Sequence, residues 1–350
     1  MATREISLMG ASKIKKLQKT LKTPLLIKDP GDLFYLTGNT FSDGGLLLVT
    51  KKQAVLFGGF LEKVDIKTDS IRNISKCLGA SKTLQIDDQT NLREFNFIKK
   101  LLPKRKLMPV VSPVKQLRLI KTSDELAKMQ LAYQITVKVF VSVKKALRRS
   151  KPWTEKELAE FIRLEGLRMG ADDISFPVIV ASGANAAVPH HVPTNKTIKI
   201  GESVVLDFGF KIKGYCSDFT RTVFLKKISP EMAQIYLAAE EAYREGFKTA
   251  RHNVVAKTAD LAARNTLAQY NLDKYFIHSL GHGTGIDVHE APHIHANSEE
   301  VLSNGMVFSI EPGVYVPRFG GVRIEDLVYL KNGKANYFAK ASTKLKDMII

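Results

Sequence analysis

Residues 204–223 read VVLDFGFKIKGYCSDFTRTV, two apolar runs that each carry one aspartate, Asp207 and Asp218. Their alternation predicts a β-hairpin. If residues 211–214 form a four-residue loop, the two aspartates lie directly opposite each other, with Cβ atoms about 4.5–5.5 Å apart. Two bare carboxylates at that distance repel each other, and a divalent cation between them removes the repulsion.

A second predicted hairpin repeats this arrangement nearer the C-terminus. Glu311 lies in FSIEPG and Glu325 in VRIED, both carboxylates within apolar strands. Two facing hairpins would bring four acids to one point, and four such acids suit two metal ions better than one. The alternative is that one of the acids pairs with Arg221 or Arg323.

The two hairpins end two copies of one layout: helix, helix, strand, glycine loop and hairpin. The first copy opens with a capping box, Thr122 and Glu125, and the second with Ser229 followed by Pro230 at the first helical position. The strand of the second copy is predicted near residues 275–279. Because the acids follow the first helix at nearly the same spacing in both halves, we predict a structural duplication.

Seven of the eight histidines occupy two short segments, 190–191 and 278–295, and only His252 lies elsewhere. His282 stands between glycines in LGHGTG, where glycine permits close backbone approach. A lone buried histidine is more often a core residue than a ligand. Three histidines within twelve positions, beside a glycine loop and strand-borne acids, favour a metal centre.

One motif in this region is misleading. Residues 289–293 read HEAPH, which fits the H-E-x-x-H pattern of zinc proteases. That pattern binds zinc only on a helix, and Pro292 inside a helix costs about 3 kcal/mol or more. We therefore reject the zinc-protease interpretation.

Length and composition indicate an ordinary globular protein. The chain has 350 residues, 44% of them hydrophobic, and two cysteines, so it is not a disulfide scaffold. No apolar run approaches the 18–20 residues or so of a membrane span. We predict a soluble, cytoplasmic protein without a membrane partner. The first third alternates short apolar strands with helical stretches, which predicts an α/β layout.

The net charge of +18 invites a nucleic-acid interpretation. The first 122 residues hold 23 basic and 10 acidic side chains, so the excess is concentrated there but thinly spread. Neither an aromatic RNA-binding motif nor a zinc finger accompanies it. A lysine-rich solvated surface is the preferred interpretation, and we do not expect a nucleic-acid partner.

Taken together, these motifs resemble the pita-bread metallopeptidases, family M24, and within them the Xaa-Pro branch of aminopeptidase P and prolidase. The similarity covers residues 123–330, and DLFYLTG and LRLIK in the first third resemble the creatinase-type N-terminal domain and its junction. The implied fold is α+β: a pita-bread domain with pseudo-twofold duplication at residues 117–350. A smaller creatinase-like α/β domain would precede it at residues 1–116.

The resemblance implies five metal ligands: Asp207, Asp218, His282, Glu311 and Glu325. Asp207 would bind one ion, and Asp218 and Glu325 would bridge both. Two divalent ions are implied, Mn²⁺ or Co²⁺ first, with Zn²⁺ or Fe²⁺ as alternatives. A hydroxide that bridges the ions would attack the scissile carbonyl.

The resemblance also implies residues around the metals. His190 would grip the substrate, with neighbouring His191 as the competing assignment, and His289 would stabilise or protonate the tetrahedral intermediate. Glu311 would double as a proton shuttle. The supporting groups would be His278, His293 and Arg323, of which Arg323 would hold a ligand carboxylate.

The implied activity is hydrolysis of the Xaa-Pro bond at the N-terminus of peptides or in dipeptides, by a homodimer. Some prolidases carry an arginine for the dipeptide carboxylate where this chain has His293, so longer peptides stay open as substrates. One alternative is a methionine-type aminopeptidase, which the long N-terminal domain disfavours. Another is a non-catalytic pita-bread module that binds nucleic acid or protein, which the intact ligand set disfavours.

Overall fold

The computed structural model of the chain describes residues 2–41, 44–58, 66–149 and 151–350. The chain divides into two compact units, Met1–Arg118 and Leu119–Ile350. Our domain boundary between residues 116 and 117 stays a prediction.

The first unit is a mixed α/β structure, as its alternating pattern predicts. Its strands are β1 (Leu25–Ile27), β2 (Gly45–Val49), β3 (Ala54–Gly58), β4 (Lys67–Asp69), β5 (Thr83–Asp87) and β6 (Lys106–Val110). Its helices are α1 (Ala2–Thr20), α2 (Pro30–Thr37), α3 (Ile74–Cys77), α4 (Leu92–Leu101) and α5 (Val114–Leu119), whose last residue begins the second unit. Within the described residues the sheet has six strands in the order β4-β3-β2-β1-β5-β6. Leu26, Leu48 and Ile98 are among the fully buried residues of its core.

The second unit begins with long helices at the predicted caps. Its helices are α6 (Ser123–Leu147), α7 (Glu155–Arg168), α8 (Pro230–Thr249) and α9 (Ala256–Ala268). The Thr122 side chain accepts from the backbone N–H of Glu125, and the Glu125 carboxylate accepts from that of Thr122, which completes the capping box. The Ser229 hydroxyl accepts from the backbone N–H of Met232, with Pro230 at the first helical position.

The second unit is built around one large sheet with two small ones beside it. The strands are β7 (Asp173–Ile174), β8 (Ile179–Ser182), β9 (Ser203–Asp207), β10 (Phe210–Ile212), β11 (Tyr215–Cys216), β12 (Phe219–Phe224), β13 (Gly281–Gly283), β14 (Glu290–Ile294), β15 (Val307–Ile310), β16 (Gly313–Val316), β17 (Gly320–Arg323), β18 (Glu325–Lys331) and β19 (Lys334–Tyr337). The large sheet runs β14-β13-β15-β18-β12-β9-β8, with β19 on β18. Counted outward from its centre, β12-β9-β8 of the first half mirror β18-β15-β13 of the second. The sheet order is therefore that of the predicted duplication.

This order gathers the four acids at one end of the central strands. Asp207 ends β9, and Asp218 immediately precedes β12. Glu311 follows β15, and Glu325 begins β18. The two halves join where β12 pairs with β18 and Thr220 faces Glu325. Both hairpins thus deliver their carboxylates to the same place.

The predicted four-residue loop of the first hairpin is wrong. Lys213 and Gly214 form a two-residue loop, with left-handed φ values of 47° and 78°, as tight hairpin turns require. The tighter turn shifts the register, and Asp207 pairs with Thr220 rather than Asp218. Because side chains alternate with period two, a shift of two residues preserves the face on which they lie.

The predicted strand at residues 275–279 is also wrong. The Arg264 guanidinium on α9 donates to the carbonyl oxygen of Phe276 at 2.9 Å and to that of His278 at 2.5 Å. A side chain thereby satisfies backbone groups that a neighbouring strand would otherwise bind. The regular strand therefore begins only at Gly281.

Cys77 and Cys216 are buried and carry free thiols. Among the described residues, no helix combines the length and the apolar character that crossing a membrane requires.

Candidate metal centre

A cavity of about 620 Å³ opens where the four acids meet. Every site residue that the sequence analysis selected lines it. These residues are Asp207, Asp218, His282, Glu311 and Glu325, together with His190, His191, His278, His289, His293 and Arg323. The other two histidines, His252 and His295, do not line this cavity.

His282 reaches the cavity because its neighbours on β13 have no side chains. A Cβ on Gly281 would lie 2.0 Å from the carbonyl oxygen of Ser309, and one on Gly283 would lie 2.0 Å from that of Ala291. Glycine is therefore required for β13 to pass between its neighbours. The Nδ1–H group of His282 donates to the Gly283 carbonyl at 3.1 Å, which turns Nε2 toward the acids.

Asp218, His282 and Glu325 form one close group of candidate ligands. Each contributes one atom to a set in which all atoms lie within 4.8 Å of one another. Burial raises the pKa of the Asp218 carboxyl well above its usual value, and the nearby Asp207 raises it further. Burial also raises the pKa of Glu325 well above its usual value, with Asp218 adding to the effect. Two buried carboxylates that repel each other need a cation to remain ionised.

Glu311 supplies a fourth carboxylate beside the imidazole. Its Oε1 atom lies 3.3 Å from Nε2 of His282, and the same nitrogen lies 3.6 Å from Oδ2 of Asp218. Burial of Glu311 opposes its ionisation, but the hydrogen bond and charge of His282 lower its pKa to about 2. In return, Glu311 and Asp218 raise the pKa of His282 to about 9 against the effect of burial. A proton on His282 therefore offsets part of the negative charge of these carboxylates.

Asp207 has one satisfied oxygen and one orphaned oxygen. Its Oδ2 atom accepts from Nη2 of Arg323 at 2.5 Å, so the pairing with Arg323 that we considered from the sequence does occur. Its Oδ1 atom is buried and, among the described residues, has no hydrogen-bond partner. Burial raises the pKa of this carboxyl even though Arg323 opposes the rise. A buried oxygen without a partner costs about 1–3 kcal/mol or more, and a metal ion would remove that cost.

Arg323 also begins a hydrogen-bonded chain that fixes His278. Its Nη1 atom donates to the Tyr315 hydroxyl at 2.7 Å. That hydroxyl donates to Nε2 of His278 at 2.9 Å, because the other ring nitrogen donates to the Ser279 carbonyl at 2.8 Å. His278 is thus held at the cavity wall, with Nδ1 4.0 Å from Oε2 of Glu311.

The remaining histidines of the cavity differ in their exposure and contacts. His190 is exposed and faces the cavity, whereas Nε2 of the adjacent His191 donates to Oε2 of Glu155 at 2.9 Å. His289 packs edge-on against the His282 ring, with ring centres 4.2 Å apart, and its pKa is lowered by burial and by the charge of His282. His293 is exposed at the cavity.

Thr220 and Ser309 also contact the acids, although the sequence analysis did not select them. The Thr220 hydroxyl donates to Oε2 of Glu325 at 2.6 Å, and the Ser309 hydroxyl donates to Oε1 of Glu311 at 3.1 Å. A signal for both exists in the sequence. Each lies two positions from a candidate ligand, and period-two alternation places such residues on the ligand's own face.

Tyr315 and Glu155 were missed as well. Tyr315 ends the segment EPGVY at residues 311–315, but nothing in the sequence indicates that its hydroxyl joins Arg323 to His278. Glu155 opens α7, where an acid is expected in any helix because of the helix dipole. Its contact with the cavity wall depends on tertiary structure that no local pattern reports.

The donor set fits divalent metal ions. It consists of carboxylate oxygens and one imidazole nitrogen, buried together and short of counter-charge, with the orphaned Oδ1 atom of Asp207 among them. Such sets bind hard to borderline divalent ions, and two ions are a common solution where several carboxylates converge.

Comparison with known proteins agrees with this fold. The sequence pattern of metallopeptidase family M24 matches residues 127–332, and that of the creatinase/prolidase N-terminal domain matches residues 13–120. The chain therefore belongs to metallopeptidase family M24. Its fold is the α+β pita-bread fold with a creatinase-type α/β unit before it, as the sequence analysis predicts. The strand at HEAPH, β14, confirms that this motif is not a zinc-protease helix.

Several relatives that the chain resembles over nearly its whole length are Xaa-Pro peptidases by name. It is 33% identical to an Xaa-Pro dipeptidase of Pyrococcus furiosus, over 92% of this chain and 94% of the relative. The crystal structure of the prolidase from Pyrococcus horikoshii OT3 covers 96% of this chain and 99% of its own, with a TM-score of 0.88 and 30% identity. An Xaa-Pro dipeptidase structure from Bacillus anthracis covers 97% and 100%, with a TM-score of 0.91 and 29% identity.

Proposed function

We propose that this chain is a dinuclear metal-dependent exopeptidase that hydrolyses the Xaa-Pro bond at the N-terminus of peptides or in dipeptides. The observation that carries the proposal is the convergence of four carboxylates and one imidazole on one cavity, where the buried Oδ1 atom of Asp207 has no hydrogen-bond partner among the described residues. Membership of family M24 supports peptide hydrolysis. The names of the relatives support the Xaa-Pro bond as its target.

The ions would be held by Asp207, Asp218, His282, Glu311 and Glu325. An oxygen-rich set with one imidazole favours Mn²⁺ or Co²⁺, with Zn²⁺ or Fe²⁺ as alternatives. When bound, such ions activate a water molecule as the nucleophile and polarise the scissile carbonyl.

The chain's own side chains would orient the peptide and move protons. His190 faces the cavity and would bind the substrate. His289 is kept neutral by its lowered pKa, so its N–H group would donate a hydrogen bond to the carbonyl oxygen as negative charge develops there. Glu311 would hold the proton that the departing proline nitrogen needs.

Selectivity for proline would come from the apolar part of the cavity wall. Proline places a tertiary amide without an N–H group at the scissile bond, so a pocket for it needs shape more than hydrogen-bond acceptors. The apolar residues along this wall are Phe176, Pro177, Val178, Ile179, Val192 and Pro193. An apolar wall of this kind suits a pyrrolidine ring.

The test combines metal analysis with a substrate-length series. We expect the purified protein to bind divalent metal and, with Mn²⁺ or Co²⁺, to cleave Xaa-Pro dipeptides, Xaa-Pro-Yaa tripeptides, or both. Peptides with alanine in place of proline serve as matched controls and should be cleaved far more slowly. Equal turnover of the alanine peptides, or no turnover of either set by metal-loaded protein, would contradict the proposal.

The same series addresses the alternatives. Preferential release of methionine from Met-Ala peptides would favour a methionine-type aminopeptidase, and salt-sensitive RNA binding without turnover would favour a binding module. The ratio of dipeptide to tripeptide cleavage shows whether this chain, which has His293 where some prolidases have an arginine, acts mainly on dipeptides. The homodimer, the cytoplasmic location and the lack of a nucleic-acid partner stay predictions.

A further inference from the structure

Glu155, the first residue of α7, has a fully buried carboxylate that accepts hydrogen bonds at both oxygens. Its Oε1 atom accepts from the backbone N–H and the hydroxyl of Ser182, both at 2.8 Å, and from Nδ2 of Asn185 at 3.0 Å. Its Oε2 atom accepts from Nε2 of His191 at 2.9 Å. The same oxygen accepts from the backbone N–H of Thr194 at 3.1 Å and from its hydroxyl at 2.7 Å. All these donors belong to one loop.

This loop, residues 182–194, is here called the histidine loop. It forms one wall of the cavity through residues that include His190 and His191. Apart from one short 3₁₀ turn at Gly183–Ala187, it has no regular structure after Ser182. Among the described residues no strand pairs with residues 188–194, and the hydrogen bonds to Glu155 help to hold this part of the loop.

The two histidines of the loop point in different directions. His191 turns its ring to Glu155, whereas His190 remains exposed at the cavity. Anchoring the first side chain fixes the backbone of the second, because the two residues share a peptide plane. The position of His190 is therefore coupled to the carboxylate of Glu155.

A charged acceptor is well suited to this role. Hydrogen bonds to an ionised carboxylate are roughly twice as strong as neutral ones. Burial alone would raise the pKa of Glu155, but donors led by Thr194 and His191 lower it to about 2. The carboxylate therefore stays ionised across the working pH range, and the loop keeps its anchor.

We propose that Glu155 is a positioning residue that holds the histidine loop so that His190 meets the substrate. The inference rests on the proposed function, because it assigns Glu155 a part in substrate binding. Glu155 touches neither the substrate cavity nor the acids, so it would act through the loop alone.

The principal variant is Glu155→Gln, which keeps the shape of the side chain and replaces one acceptor oxygen by an N–H₂ donor. In either orientation of the amide, its N–H₂ group faces N–H groups of the loop that donated to Glu155, and it cannot accept their hydrogen bonds. The matched control is Glu157→Gln, the same exchange on the same helix turn, at an exposed cap that contacts Thr154 instead of the loop.

For Glu155→Gln we expect faster amide hydrogen exchange across the histidine loop, measured by mass spectrometry, and a KM for an Xaa-Pro substrate about tenfold higher with kcat changed less than about threefold. Bound metal should stay at the wild-type level. Glu157→Gln should leave exchange in the loop and KM unchanged. Unaltered KM in a Glu155→Gln protein with a loosened loop would overturn the proposal.

A double-mutant cycle separates positioning from general stability. If Glu155 acts through His190, adding Glu155→Gln to His190→Ala should raise KM by much less than it does in the wild-type background. Full additivity would overturn the proposal. If Glu155→Gln does not fold, Thr194→Val removes one hydroxyl donor and should shift exchange and KM in the same direction by a smaller factor.

The two ideas fail in distinguishable ways. Metal-loaded wild-type protein that cleaves no Xaa-Pro peptide would contradict the proposed function, whatever the variants do. Loop exchange is measured without substrate, so it would still show whether Glu155 anchors the histidine loop. If wild-type protein is active and the Glu155→Gln variant keeps both a rigid loop and the wild-type KM, the positioning role of Glu155 is contradicted and the proposed function is not.

Discussion

Glu325 and Asp326 are neighbours on β18, yet their carboxylates lie in opposite chemical surroundings. Both Asp326 oxygens accept from Nη2 of the fully buried Arg221 at 2.9 Å, and the hydroxyl of Tyr243 donates to one of them at 2.6 Å. Tyr133 donates to the other. Glu325, one residue earlier and hence on the other face of the sheet, meets the Thr220 hydroxyl and further acids.

The presence or absence of an internal counter-charge distinguishes structural buried acids from functional ones. The charge of Asp326 is balanced inside the protein by a guanidinium and two phenols, so this acid needs nothing from outside. Glu325 and Asp218 are held together against their repulsion, and burial raises the pKa of both. Burying two carboxylates that repel each other lowers the stability of the fold, and an external cation bound between them offsets that loss.

The largest effect that we expect is at the acids whose charge is not balanced within the protein, Asp218 and Glu325. Asp218→Asn should lower kcat/KM for Xaa-Pro peptides by about three orders of magnitude or more, because it removes charge from the site that would hold both ions. Bound metal, measured by elemental analysis, should fall as well. The same change should not destabilise metal-free protein, because it relieves repulsion between Asp218 and Glu325.

Differential scanning calorimetry with and without Mn²⁺ provides the control for that variant. The ion should raise the Tm of wild-type protein, because it binds the folded state, and should raise that of Asp218→Asn much less. Wild-type activity in the variant would refute the proposed metal centre.

An intermediate effect is expected at Asp326, whose charge is balanced within the protein. Asp326→Asn leaves Arg221 buried with a weakened partner, so the free energy of unfolding should fall by about 3–5 kcal/mol. Urea denaturation of metal-free protein measures this. Asp326→Asn protein that remains folded should still bind metal. A loss of metal without a loss of stability would reverse the roles we assign to the two faces of β18.

Much of this site could be predicted from local sequence because its ligands sit at strand ends within recognisable apolar runs. Asp207, Asp218, Glu311 and Glu325 break those runs with charge, which is a strong signal in a single sequence. The register between Asp207 and Asp218 was predicted incorrectly, since it depends on left-handed φ values at the turn.

The supporting groups were harder to predict. Arg221 and Arg323 are both arginines in apolar strands, and no local pattern states that the first serves Asp326 and the second Asp207. Glu155 looks like an ordinary acid at a helix start. These assignments come from contacts between segments distant in the chain, which one sequence does not contain.

The smallest effect is a difference in pH dependence between metal-free and metal-loaded protein. In metal-free protein Asp218 and Glu325 keep protons that the unfolded chain has lost, because their pKa values are raised. His282, with a pKa of about 9, likewise keeps its proton in the folded protein after the unfolded chain has lost it above about pH 6.5. All three shifts have the same sign. Between pH 6.5 and 9, the window that the His282 shift sets, the stability of metal-free protein should therefore fall by about 1.4 kcal/mol per pH unit for each proton of difference.

Adding Mn²⁺ should remove most of that slope, since metal ligands are already deprotonated in the folded state. The stabilisation by Mn²⁺, taken as the difference in unfolding free energy with and without EDTA, should therefore be greater at pH 8.5 than at pH 6.5. Asp218→Asn should flatten the slope of the metal-free protein, because it removes a carboxyl with a raised pKa. Asp326→Asn changes the other face of β18 and should leave the slope intact. Equal slopes in wild-type protein and both variants would show that the two faces of β18 do not differ in the way we argue.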